Sequence, residues 1–288
     1  MKTPQQIEKS LADAFRKYEN TTHQKNLENI MKAKASYRKV RASYGIASPG
    51  KLLTQTISKL NKNETPTYGL AIIPAGLSEI GNVCAFAGEC ASTCVAFSGN
   101  GSFSNTVNSR KAKTDFMINH PFHFIVLLCD EMAAIHENNP GTTQIRLNTY
   151  SDIRWERIFA DFMRQLYSIE FYDYTKHPIS SRPAESLPYN YRLTYSVSEK
   201  TTANEIKKAR DHKRNIAVVV SIRSGKTATG WRPIPATWAN ILTVDGDLTD
   251  DRFNDPIGTV VVLRRKHTMK PWHPMIQQAS KLNKGILK

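Results

Sequence analysis

Cys84, Cys90 and Cys94 lie within eleven residues of one another, in the loop GNVCAFAGECASTCVAFSGNGSF that follows the apolar run TYGLAIIPA. Three of the chain's four cysteines are thus packed too closely for a useful disulfide framework, and clustered thiolates most often mean metal. The spacing C-x5-C-x3-C lets a loop wrap while its last two cysteines sit a helical turn apart. Thiolates suit zinc, and they equally suit an iron–sulfur cluster. His120 follows Cys94 after twenty-five intervening residues and is the candidate fourth ligand, with His123 and Cys129 as alternatives. Free cysteine is often a small core hydrophobe. A polar, glycine-containing triple argues against that plainer reading.

Carboxylates are the second group able to do chemistry. Asp152, Asp173, Asp245 and Asp247 each stand at or near the end of an apolar run. Gathered at one rim, such groups can act as nucleophile and general acid or base, because different surroundings split their pKa values. Asp152 could instead cap the helix that follows it, and Asp245 and Asp247, on either side of a glycine, could simply shape a turn. Aromatic and basic residues interleave nearby, notably Tyr150, Tyr174, Lys176 and Arg223. That mixture holds single strands and flipped bases, rings stacking on bases while cations hold phosphates. The acidic stretch 245–258 lacks the Gly and Glu positions of an EF-hand, and SGKT at 224–227 lacks the first P-loop glycine, since residue 220 is Val.

These residues need a scaffold. Residues 4–18 and 24–44 read as helices, as do 104–117, 121–137, 155–166 and 201–213; strands are expected at TYGLAIIPA, 144–149, 168–176, 191–199, 215–223, 241–246 and 258–266. Alternation of this kind predicts an α/β fold with a mainly parallel sheet, as a complete or partial TIM-like (β/α) barrel; a doubly wound open sheet is the alternative. The chain divides into a basic helical N-terminal extension, 1–60, and a barrel-like catalytic domain, 61–288, with Ser48-Pro49-Gly50 ending the helical region.

The 288 residues carry a net charge of +15, which points to a polyanionic partner, most commonly nucleic acid. Residues 1–60 hold twelve Lys or Arg against four Asp or Glu. Lys32, Lys34, Arg38, Lys39 and Arg41 fill much of the second helix and are candidates to lie along DNA phosphates. No apolar run approaches a membrane span, and MKTPQQIEKS lacks a signal-peptide core. Four unevenly spaced cysteines fit a reducing compartment, so a cytoplasmic location is expected, the host's if the gene is a phage's.

The run from Asn82 through the three cysteines to Phe103, the strand end FYDYTK (171–176) and DGDLTDDRFNDPIG (245–258) together resemble a family of phage and plasmid proteins associated with DNA 7-deazaguanine transglycosylases, remote relatives of the tRNA-guanine transglycosylases. The resemblance covers roughly residues 65–266. It implies a (β/α) barrel that exchanges guanine in DNA for a preformed 7-deazaguanine such as preQ0. One Asp of the 245/247 pair would displace the base, Asp152 would manage protons and Asp173 would stand in reserve. Zinc would be held by Cys84, Cys90, Cys94 and His120, although this cysteine spacing differs from that of the tRNA enzymes. Two other classes compete. In a radical S-adenosylmethionine enzyme, a three-cysteine loop after the first barrel strand holds an iron–sulfur cluster, but C-x5-C-x3-C departs from the usual C-x3-C-x2-C. A non-enzymatic DNA-binding protein with a structural metal is the third.

Overall fold

Threonine and proline open the chain's first helix: Thr3 and Gln6 form a reciprocal capping box and Pro4 takes the first helical position. The computed structural model describes residues 1–47, 50–55, 57, 60–139, 141–227, 230–266 and 269–286. Ser48 and Pro49 lie outside them. Helix α1 (Pro4–Glu19) is followed by α2 (His23–Ser43), β1 (Leu53–Thr54), β2 (Thr67–Leu70), α3 (Ser104–Asn119), α4 (Pro121–Asn138), β3 (Thr143–Arg146), α5 (Glu156–Gln165), β4 (Ile169–Thr175) and β5 (Tyr191–Ser196). Then come α6 (Ala203–Asp211), β6 (Ile216–Arg223), the hairpin β7 (Lys226–Thr227) and β8 (Gly230–Trp231), β9 (Thr237–Trp238), β10 (Ile241–Asp245), β11 (Val260–Arg265) and α7 (Pro274–Ile286).

Nine of these strands form one sheet in the order β1-β2-β3-β4-β5-β6-β11-β10-β9. Every pairing from β2 to β10 is parallel. Continuous apolar runs in β6 and β11 (IAVVV, VVVL) suit parallel strands covered on both faces. The mixed α/β fold is as expected, but the closed barrel is not formed. Closure would pair the β2 edge with the β10 edge, and each is taken by a two-residue antiparallel strand, β1 and β9. Nor does the order reverse between β2 and β6 as a doubly wound sheet would require. β11 inserts between β6 and β10, so the connection 246–259 runs back across the sheet.

That connection defines an inner face. Asp250 pairs with Arg146 of β3 at 2.6 Å, its N–H donates to Asn63 at 2.8 Å, and Lys62 Nζ donates to the Asp247 carbonyl at 2.9 Å. The outer face is packed by helices. Ile145, Ile169, Phe171 and Leu193 join Phe124, Leu128, Phe159 and Met163 in the main core. Ile206, Ala209, Ala279 and Leu282 of α6 and α7 cover β6 and β11. The N-terminal helices belong to the same outer layer, since Ile7, Leu11, Phe15 and Tyr37 enter the main core. On α2, Leu27 and Met31 remain exposed. No described helix is long and apolar enough to cross a membrane.

Candidate functional site

The cysteine loop lies over the C-terminal ends of the parallel strands. From β2, buried Ala71, Ile72 and Ile73 lead into short 3-10 turns at Ala75–Ser78, Gly88–Thr93, Val95–Phe97 and Gly99–Ser102. Several elements hold it there. The Cys84 N–H donates to the Asn82 side chain at 2.8 Å, the Ala75 N–H donates to Cys84 Sγ at 3.4 Å, and the Asp152 N–H donates to the Val83 carbonyl at 2.9 Å. Arg110 of α3 donates to the carbonyls of Ala96 and Gly101 at 2.5 and 3.0 Å. Gly88 has φ +49°, and any Cβ there would collide with the Glu199 carboxylate, which reaches over from beyond β5. On the far side, Thr93 Oγ1 lies 3.3 Å from His273 Nε2, and Cys90 packs beside Met269, Met275 and Ile276.

The three thiols act on one another. Burial first, and then Asp152, Cys94 and Cys90, push Cys84 up to about 12 against the Ala75 hydrogen bond. Burial raises Cys94 as well; the Ala96 N–H, Lys176 and Arg110 oppose it. Lys176 stands among them, its Nζ 3.4 Å from Ser196 Oγ. Burial alone would lower its pKa, and Cys90, Asp152, Cys84 and Cys94 together raise it by more. Three sulfur donors suit zinc or an iron–sulfur cluster and do not suit calcium or magnesium. Among the described residues, no three His, Cys, Asp or Glu side chains are gathered closely enough to hold a single ion.

The other candidate ligands stand apart. His120, exposed at the junction of α3 and α4, lies beside Phe116 and acts on His123. Cys129 is fully buried in the α4 core.

Each candidate carboxylate is already engaged. Asp152 accepts from the Lys176 N–H at 2.8 Å and from Arg182 at 3.2 Å, and does not cap α5. Asp245 receives both Nη groups of Arg264 at 2.6 Å. Asp247 accepts from Lys266 Nζ at 2.7 Å and the Arg264 N–H at 2.8 Å; burial would raise it, yet Lys266 and Arg264 hold it below the usual carboxylate range. Asp173 points to the outer face, where it accepts from the Asn148 N–H at 2.7 Å and Tyr191 Oη at 2.9 Å. Burial raises it to about 7 despite Arg146 and those bonds.

A carboxyl whose folded pKa exceeds its unfolded one binds more protons when folded, so its contribution to stability is lost as pH rises. Melting temperature is therefore expected to fall between about pH 4 and pH 7, and Asp173→Asn should flatten that fall. An unchanged slope in the variant would remove Asp173 as its source.

Of the candidate nucleic-acid residues, Lys32, Lys34, Arg38 and Lys39 are exposed on α2, Lys34 facing Asp130 at 3.3 Å. Arg41 is buried against the Tyr37 ring. Arg223 is exposed at the end of β6, whereas Tyr150 lies under Arg110, Tyr174 under Arg146, and Lys176 with the thiols. Deleting residues 1–60 would strip core residues, so charge is the cleaner test. The triple change Lys32→Gln, Arg38→Gln and Lys39→Gln is expected to flatten the dependence of log K on log salt for duplex DNA, by about 0.9 for each phosphate that is no longer neutralised. An identical slope would mean that α2 touches no phosphate.

Fold and site together define an open, mainly parallel α/β protein with a three-thiol loop across its C-terminal rim. Residues 23–284 match the family described as Gene product 88, and the chain belongs to that family. The match takes in α2, which lies outside the stretch resembling the transglycosylases. No curated protein and no solved structure matches the chain.

Proposed function

We propose that this chain is a metal-dependent enzyme of the radical S-adenosylmethionine type, with an iron–sulfur cluster held by Cys84, Cys90 and Cys94, working in the cytoplasm on nucleic acid or its components. What supports this reading is that Cys84, Cys90 and Cys94 lie on the one loop that leaves the first core strand over the rim of an open parallel sheet, with Lys176 within electrostatic reach of all three. Three protein ligands also leave one position for a non-protein ligand.

When bound, such a cluster supplies single electrons for radical chemistry. The chain's own residues do the rest. With a cluster bound, Lys176 would offset the negative charge of its thiolates, and Arg110 fixes the loop through the carbonyls of Ala96 and Gly101.

Base exchange in DNA through Asp245 or Asp247 would require Arg264 and Lys266 to release those carboxylates. One experiment separates the two. Anaerobically purified protein is expected to be coloured and to contain iron and sulfide. Colourless protein containing zinc would overturn the cluster and turn attention to exchange of labelled guanine from DNA, with preQ0 as the incoming base.

A further inference from the structure

Three buried arginines, Arg146 and Arg252 on the inner face and Arg110 of α3 at the adjoining rim, keep an Nε–H without an acceptor. Arg110, Arg146 and Arg252 are 5%, 5% and 2% exposed, and the Nε of each lacks a hydrogen-bond partner. Buried donors are nearly always paired, so three such groups in one region call for an acceptor. The region is continuous. The Arg110 guanidinium lies 4.6 Å over the Tyr150 ring and Arg146 lies 4.9 Å over Tyr174. Tyr150 is acted on by both Arg110 and Arg146, and Tyr174 by both Arg252 and Arg146.

Arg146 pairs with Asp250 at 2.6 Å and Arg252 with Asp255 at 3.0 Å, Asp251 acts on Asp255 and Asp152 on Lys176, and Arg110 has Tyr150 and Cys94 as the groups that act on it. Burial holds Asp255 up at about 6 even with Arg252 beside it. Tyr150, Tyr174 and Lys176 remain partly exposed, so the group is reachable from the rim. Cys94 acts on Tyr150, which places the cationic group next to the thiols.

We propose that this inner face and its adjoining rim form a phosphate-binding site, built on Arg110, Arg146 and Arg252, that takes the phosphate of a nucleotide and directs its remainder toward the cysteine loop. Guanidinium forks match phosphate oxygens, and guanidinium–aromatic stacks are surfaces on which bases also sit. The site deepens the reading above and rests on it for the identity of the reactive group. The phosphate could belong to a free nucleotide or to a strand.

The test is calorimetry on the full chain at constant ionic strength, with inorganic phosphate, a nucleoside 5′-monophosphate and a short single-stranded oligodeoxynucleotide as probes. All three are expected to bind, and the tighter of the last two identifies the source. Arg252→Lys keeps the charge and loses the Nε–H, so it should weaken phosphate about tenfold. Arg110→Lys should do the same, and it decides the matter if Arg252→Lys does not fold. Lys281→Gln, on α7, is the control and should bind as the wild type does. No phosphate binding by wild-type protein overturns the proposal; so does undiminished binding in both arginine variants. Iron measured on the same samples keeps the two readings apart. Phosphate binding without iron sinks the cluster alone, and iron without phosphate binding sinks this site alone.

Discussion

Alanine at Cys84, Cys90 or Cys94 is expected to strip the metal from the chain and lower its melting temperature. On the cluster reading each change removes one of three protein ligands, and metal bound by the folded state alone adds its binding energy to folding. The packing given up is small, because each of these thiols is only partly buried in a loop. A loss of about 2 kcal/mol or more would lower the melting temperature by roughly 5 °C, at 2–4 °C per kcal/mol for chains somewhat shorter than this one. Cys129→Ala separates the two effects. It creates a cavity in α4, where Cys129 is fully buried, and should cost stability while keeping full metal content. Metal per chain and melting curves on anaerobic protein provide the check. Full stoichiometry in all three loop variants would mean that the thiols are not ligands.

The alternation of strands and helices was legible because parallel strands read as apolar runs and the helices carry caps such as Thr202 with Glu205. The sheet's order was not. β10 and β11 are both short, Val-containing segments, and nothing in their composition says that β11 inserts beside β6. Edge strands of two residues, β1 and β9, are too short to show periodicity, and it is they that keep the sheet open.

The site was legible where density of type was enough. Three cysteines in one loop announce themselves; Lys176 does not, because its place among the thiols comes from lying one residue beyond β4. Arg110 is one cation among several in the polar helix 104–117, and nothing in the sequence around Glu199 or His273 marks either residue. The position of Asp173 could have been read, since alternate residues of a strand face opposite ways. With Tyr172 and Tyr174 on the inner face, Asp173 belongs to the outer one.

Arg182→Met is expected to be the most destabilising single change near the rim. The guanidinium is about 1% exposed and donates to both Glu156 oxygens at 2.9 and 2.7 Å, to Asp152 at 3.2 Å and to Tyr191 Oη at 3.1 Å. It thereby ties α5, the end of β3 and β5 together. Its removal leaves the Glu156 carboxylate, 2% exposed, without its two-pronged ion pair and with Arg214 as the cation acting on it. Breaking a buried pair by deleting one partner costs about 3–5 kcal/mol. The expected fall in melting temperature is on the order of 10 °C. Pairing Arg182→Met with Glu156→Gln removes the stranded charge and should recover much of that loss, because the penalty comes from the buried ion that has lost its pair more than from the missing bond. Metal binding should recover less. Asp152 still loses Arg182 in the double variant, and Asp152 joins the Val83 carbonyl to the Lys176 backbone, the two sides of the thiol site. Denaturant unfolding and metal titration on the single and double variants measure both quantities. A single variant within about 1 kcal/mol of wild type would show that the guanidinium is dispensable. A double variant recovering stability and metal affinity to the same extent would show that Asp152 holds its place without it.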